Sequence, residues 1–151
     1  MEPERDARAS DAIRNLLGRY CELIDDGDFD GVGRLFAEGV LADEHGAVLA
    51  SGADGVAAFY RRGTLLHDGR PRTKHVVTNT VVDVDTAAGT AVARSSYLVL
   101  QATPRTALHA IITGRYHDRF ALGRDGWGFS ERRFLVDLVG DLSEHLAAPP
   151  Q

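Results

Sequence analysis

The chain has 151 residues, 44% apolar and 26% charged, with a formal net charge of -5 and one cysteine. That balance fits one soluble globular domain, while Cys21 alone excludes an internal disulfide or a cysteine-based zinc site. The acidic charge argues against nucleic acid, which needs clustered positive charge, and no apolar run approaches the ~20 residues that span a bilayer.

Residues 1–9 are polar, lack the apolar centre of a signal peptide, and read as a disordered lead-in; a cytoplasmic location is expected. Residues 10–146 read as one domain and 147–151 as a tail. Ser10 or Asp11 can cap a first helix running to about Asp26. In it Ile13, Leu16, Leu17, Tyr20, Cys21 and Ile24 recur at spacings of three and four, which places them on one side. Gly27 stops this helix. Asp28 caps a shorter second helix carrying Phe29, Val32, Leu35 and Phe36. Val40–Asp43 and Ala47–Ala50 flank Glu44-His45-Gly46 as a small hairpin. Ser51–Asp54 opens a third helix with Val56, Phe59 and Tyr60 inward.

The period then changes from 3.6 to 2. Thr73–Val84, Thr90–Gln101, Ala107–Leu122 and Trp127–Val139 read as four long strands joined by short turns, an antiparallel meander. Gly140–Leu146 fits one helical turn. Helices first and a long sheet second is an α+β pattern. A strongly curved antiparallel or mixed sheet around the first helix makes a cone-shaped roll with an internal cavity. In the third long strand, Leu108, Ala110, Ile112, Gly114, Tyr116, Phe120 and Leu122 form the expected cavity wall. His109, Ile111, Thr113, Arg115, His117 and Arg119 form an outer face suited to a homodimer contact.

Asp25 lies at the edge of the first helix's apolar stripe, where a carboxylate opposes the helix dipole; it is either a solvated acid or one aimed into a pocket. His75 shares a strand face with Val77, Asn79 and Val81. If that face is inward, the imidazole can move a proton near pH 7. Tyr20, Tyr60, Tyr97 and Tyr116 are pocket-lining candidates, because a phenol can donate to a developing oxyanion. Gln101 shares the face of Tyr97, Asn79 can bind a substrate oxygen, and Arg133 can attract an anionic group. Asp26-Gly27-Asp28-Phe29-Asp30-Gly31 imitates the start of a calcium loop, but Ala37 stands where its closing Glu belongs. His109, His117 and His145 lack metal-ligand spacing. No metal or cofactor is expected.

Three stretches carry a family resemblance: Leu23-Ile24-Asp25-Asp26-Gly27-Asp28-Phe29-Asp30 with Leu35-Phe36, His75-Val76-Val77-Thr78-Asn79, and Gly114-Arg115-Tyr116-His117-Asp118-Arg119-Phe120 with Asp125-Gly126-Trp127. They resemble the SnoaL-like branch of the nuclear-transport-factor-2-like superfamily over roughly residues 10 to 140. Scytalone dehydratase and the hexachlorocyclohexane dehydrochlorinase are similar at Asp25 and His75, which the resemblance implies form a dyad. Other parts of their sites are absent: Ile24 stands where the dehydratase has Tyr, and Tyr20 where the dehydrochlorinase has Lys. The resemblance implies a cofactor-independent dehydratase, cyclase or double-bond isomerase acting on a small apolar oxygenated metabolite. A non-catalytic binding or dimeric interaction module of the same fold is the alternative.

Overall fold

The computed structural model describes residues 1–147. Three helices, α1 (Glu2–Asp26), α2 (Phe29–Leu35) and α3 (Gly52–Gly63), pack on a six-stranded mixed sheet. Its strands are β1 (Val40–Ala42), β2 (Val48–Ser51), β3 (Thr73–Asp85), β4 (Thr90–Gln101), β5 (His109–Gly123) and β6 (Gly126–Val139), in the order β2-β1-β6-β5-β4-β3. The long strands form the predicted meander, and the small hairpin joins it through a parallel pairing of β1 with β6. Among the described residues no helix is long and apolar enough to cross a membrane.

α1 starts eight residues before Ser10, so the lead-in expected to be disordered is helical. Its first turns are tied down: Arg8 pairs with Glu4 one turn away, Asp6 accepts from the Thr86 hydroxyl, and Ala9 is buried. The expected stripe is otherwise as read, with Ile13, Leu17, Tyr20 and Ile24 all buried against the sheet. Gly27 ends the helix at φ 75°, and the N–H groups of Gly27 and Asp28 close back on Ile24 and Leu23. Glycine takes that left-handed conformation without the Cβ penalty other residues carry. Asp28 caps α2 by accepting from Gly31 N–H at 2.8 Å. Asp26 and Asp30 pair with Arg70 and Arg61, so the calcium-like acids serve as a cap and as surface ion pairs.

Register shifts bend the sheet and change which residues face inward. One lies between Thr78 and Val81, where Asn79 adopts φ 54°. Beyond it Val82 and Val84 pack on the core while Asn79 and Val81 are exposed, which corrects the strand face read for them. Another shift, opposite Val99 and Leu100, adds Ile111 to β5 and buries it. Tyr116 and Phe120 face the core as expected, but Leu108, Ala110 and Leu122 are exposed and form no cavity wall. After β6, Leu142–Leu146 makes the single turn expected, and Leu146 bridges to Thr64. Of the predicted tail, residues 148–151 lie outside the described part.

Candidate active site

α1 delivers Asp25 to the first residues of β3. Its Oδ1 accepts from Thr73 Oγ1 at 2.8 Å and from His75 Nδ1 at 2.6 Å, and its Oδ2 accepts from the His75 backbone N–H at 2.9 Å. An ionised carboxylate only accepts, so His75 donates to it from Nδ1, and in the neutral ring Nε2 then carries the lone pair. The side chains are 8% (His75) and 15% (Asp25) exposed. An open cleft of about 430 Å³ between α1 and β3 reaches His75; Leu17, Gly18, Cys21 and Val77 line it, with Arg14 and Lys74 at its sides. Such a volume falls within the range of about 300–1,000 Å³ typical of small-molecule sites. A second cleft, of about 470 Å³, lies at the far end of the sheet beside Asp83, Thr90 and Phe120.

Aromatic side chains pack in the interior that the curved sheet surrounds. Tyr20 stands edge-on to His75 with ring centroids 6.3 Å apart, and its hydroxyl meets that of Tyr60 at 2.5 Å. Tyr97 stacks on Tyr116 at 4.4 Å. Gly114 has no Cβ because one would collide with the Tyr97 hydroxyl and the Leu135 carbonyl. Burial raises the pKa of all four phenols, that of Tyr97 to about 12, so each keeps its proton at neutral pH.

Sequence reading missed the group that fills the centre. Arg132 and Asp118 are both fully buried and form a bidentate pair, Nε–Oδ1 and Nη2–Oδ2 each 2.8 Å. The guanidinium lies 3.6 Å from the Tyr116 ring centroid and 4.2 Å from that of Tyr20. Burial disfavours its charge, but the Asp118 carboxylate outweighs this and holds the Arg132 pKa above its ordinary value. Arg133, the residue expected to attract an anion, instead pairs with Glu131 at 2.7 Å beside the Gly46 turn. Asn79 is likewise not brought to the dyad, because the bulge turns it outward. Tyr20 is brought to it directly, Tyr60, Tyr97 and Tyr116 through the aromatic cluster, and Gln101 through its register pairing with Thr73. Among the described residues no three His, Cys, Asp or Glu side chains form a metal-binding group.

The turn after β6 carries Glu144 and His145 and is anchored on His67, Gln101 and Leu65. The Glu144 carboxylate accepts from the hydroxyls of Thr103 and Thr106 and from Arg105, and these bonds lower its pKa to about 2. Its carbonyl accepts from Gln101 and contacts His67 Nε2. Burial pushes His145 down to about 4; His75 and His67 add to the shift and Asp25 opposes it. Between the ordinary 6.5 and 4 the unfolded chain therefore binds a proton that the native ring refuses, so stability is lost as pH falls through that window. At about 1.4 kcal/mol per pKa unit the loss reaches up to about 3 kcal/mol. Glu144 has the opposite charge type but the same direction: its contribution is present above 4.5 and lost as pH falls toward 2. Melting temperatures from pH 7 to 4 should drop more steeply for the wild type than for His145→Phe; equal slopes would remove His145 as the cause.

A family model described as SnoaL-like domain matches residues 5–133. An Asp-to-Asn variant of Rv3472, a Mycobacterium tuberculosis protein of unknown function, superposes with a TM-score of 0.73 at 24% identity, over 90% of this chain and 76% of that one. An NTF2-like protein with a cystatin-like fold from Novosphingobium aromaticivorans gives 0.74 at 22% identity, over 89% and 86%. A candidate scytalone dehydratase from the same organism gives 0.68 at 18% identity, over 92% and 89%. At these identities the likeness is one of fold.

Proposed function

Because the chain belongs to the SnoaL-like family, we propose that it is a cofactor-independent acid–base enzyme of lyase or isomerase type. Its substrate is a small, apolar, oxygenated metabolite of polyketide-like character, and its location is the cytoplasm. The observation that carries this reading is the 2.6 Å contact of His75 Nδ1 with Asp25, beside a cleft wide enough for an organic molecule. His75 Nε2 takes a proton from a carbon next to a carbonyl. The C–H electron pair moves into an enolate whose charge rests on the carbonyl oxygen. The imidazolium then returns the proton, either to another carbon (isomerisation) or to a departing hydroxyl (dehydration). Asp25 holds the ring in its reactive tautomer and stabilises the imidazolium. Tyr20, protonated and with its ring edge-on to His75, is the phenol assigned to stabilise the oxyanion. The direct test is hydrogen–deuterium exchange at the α-carbon of enolisable cyclic ketones such as 2-tetralone in D2O. Acceleration by the protein supports the reading, and a rate equal to buffer across the panel rejects it.

A second reading, a non-catalytic binding module, is favoured by the buried Arg132 between the Tyr20 and Tyr116 rings, a charge placed for packing rather than for chemistry. In that case ketones bind without exchange.

In either reading the protein acts as a homodimer. The end of β6 and the approach to β5 leave Val136, Leu138, Val139 and Leu108 51–70% exposed, and a second copy that covers them removes this apolar surface from water. Light scattering after gel filtration should give twice the chain mass, and Leu138→Glu should shift it toward the monomer. A wild-type monomer at micromolar concentration would exclude the dimer.

A further inference from the structure

The cleft beside His75 carries charges that proton transfer at the dyad does not use. Arg14, Leu17, Gly18 and Cys21 line it from α1, at the helical spacing that leads on to Asp25. His75 and Val77 line it from the inner face of β3, Lys74 and Val76 from the outer. β3 is an edge strand and runs antiparallel to α1: Asp25 meets His75, Arg14 meets Thr80, and Asp6 meets Thr86. The dyad therefore stands at one end of the cleft and Arg14 toward the other, and α1 rises about 16 Å between Arg14 and Asp25. Two permanent positive charges line the cleft and no acidic residue does, although the chain has a net charge of -5. Among the described residues neither Arg14 nor Lys74 pairs with a carboxylate, whereas Arg61, Arg70, Arg72, Arg105 and Arg115, also exposed, all do. The Arg14 guanidinium reaches the Thr80 carbonyl, with Nη1 and Nη2 each at 3.4 Å, longer than an ordinary N–H···O bond. A neutral acceptor at that distance leaves its charge unmatched.

Gly18 supplies an independent observation. Glycine inside a helix weakens it, and a close neighbour is the ordinary reason to keep one there. A Cβ at Gly33 would collide with the Ala53 carbonyl, but one at Gly18 would meet no atom within 4 Å. The chain's own packing does not account for the missing side chain, and the space it leaves open is the cleft. We propose that the ligand of this cleft is an organic anion. Its acidic group binds the Arg14 guanidinium and is drawn in by Lys74, its apolar body lies over Gly18 between Leu17 and Val77, and its reacting carbon reaches His75. A guanidinium matches the paired oxygens of a carboxylate or phosphate, and such charge-assisted bonds are stronger than those to a neutral acceptor. The proposal rests on the reading of Asp25–His75 as the reacting end of the site, and refines the apolar, oxygenated metabolite to one that ends in an acidic group.

The test uses the full chain with 2-naphthoate, 2-naphthyl phosphate and the neutral 2-naphthamide. Calorimetry at low ionic strength is expected to show the better anion binding at least about fivefold more tightly than the amide. Added salt should shrink that advantage, and the tighter of the two anions identifies the acidic group. Arg14→Gln should bring the ratio below about twofold and leave the affinity for 2-naphthamide unchanged; Arg14 is exposed, so the fold is spared. Gly18→Leu should fill the cleft and weaken every probe at least about tenfold, yet melt no lower than the wild type, because leucine is the better helix former. Should it fail to fold, Arg14→Gln decides. Equal affinities for anions and amide, no binding of any probe, a preference that survives Arg14→Gln, or undiminished binding by a folded Gly18→Leu would overturn the proposal. Exchange of 2-tetralone-6-carboxylate and its carboxamide separates the two readings. Arg14→Gln should raise KM for the acid at least about threefold with kcat unchanged, and His75→Ala should abolish exchange while keeping the anion preference in binding. Anion preference without exchange in the wild type would reject the acid–base reading and leave the anion site standing; exchange at the same kcat/KM for acid and carboxamide would do the reverse.

Discussion

Removing the imidazole in His75→Ala is expected to slow α-proton exchange at least about a hundredfold, the lower end of the 10²- to 10⁴-fold range for positioned acid–base groups. The geometry makes the loss specific. Asp25 already accepts from Thr73 and from the His75 backbone N–H, neither of which the substitution removes, so the carboxylate stays in place and only the base is lost. Asp25→Asn probes the same pair from the other side. An amide N–H presented to Nδ1 favours the tautomer that is protonated on Nε2, the wrong one for a base. Exchange should fall by a similar factor while circular dichroism remains native. An exchange rate in His75→Ala within twofold of the wild type would eliminate the dyad mechanism.

Asp118→Ala should carry the largest cost in stability. It leaves the Arg132 guanidinium, fully buried between Tyr20 and Tyr116, without its counter-charge. Breaking a buried pair by deleting one partner typically costs about 3–5 kcal/mol, which for a chain of this size lowers the melting temperature by roughly 10 °C. The paired replacement Asp118→Leu with Arg132→Met should restore much of the loss, because apolar groups of similar volume often match a buried ion pair. A single mutant that melts with the wild type would mean that the arginine finds water or another acceptor. Should the double mutant also regain α-proton exchange, the pair serves packing; stability without exchange would mean that the guanidinium supports the chemistry through Tyr20.

Sequence alone determined more of the dyad than of its surroundings. Helical spacing placed Ile13, Leu17, Tyr20 and Ile24 on one buried face and left Asp25 at its edge, and Gly27 fixed where the helix ends. Those are local properties, carried by a period of 3.6 and by one residue that tolerates a positive φ. Strand alternation likewise located His75 and Val77, because the β3–β4 ladder is unbroken from Thr73 to Thr78. Past that point the period of two stopped being a guide. Asn79 and Val81 turned outward after one bulge, and Ile111 turned inward at another. On β6 an irregularity at Ser130 exchanged Arg133 for Arg132 as the inward residue. Each bulge inserts a residue, reverses the faces beyond it, and leaves no local mark as plain as a helix-ending glycine. The meeting of Asp25 with His75, and of Gln101 with the Glu144 carbonyl, required tertiary structure. Contacts across 50 and 43 residues form only when the curved sheet closes on the first helix.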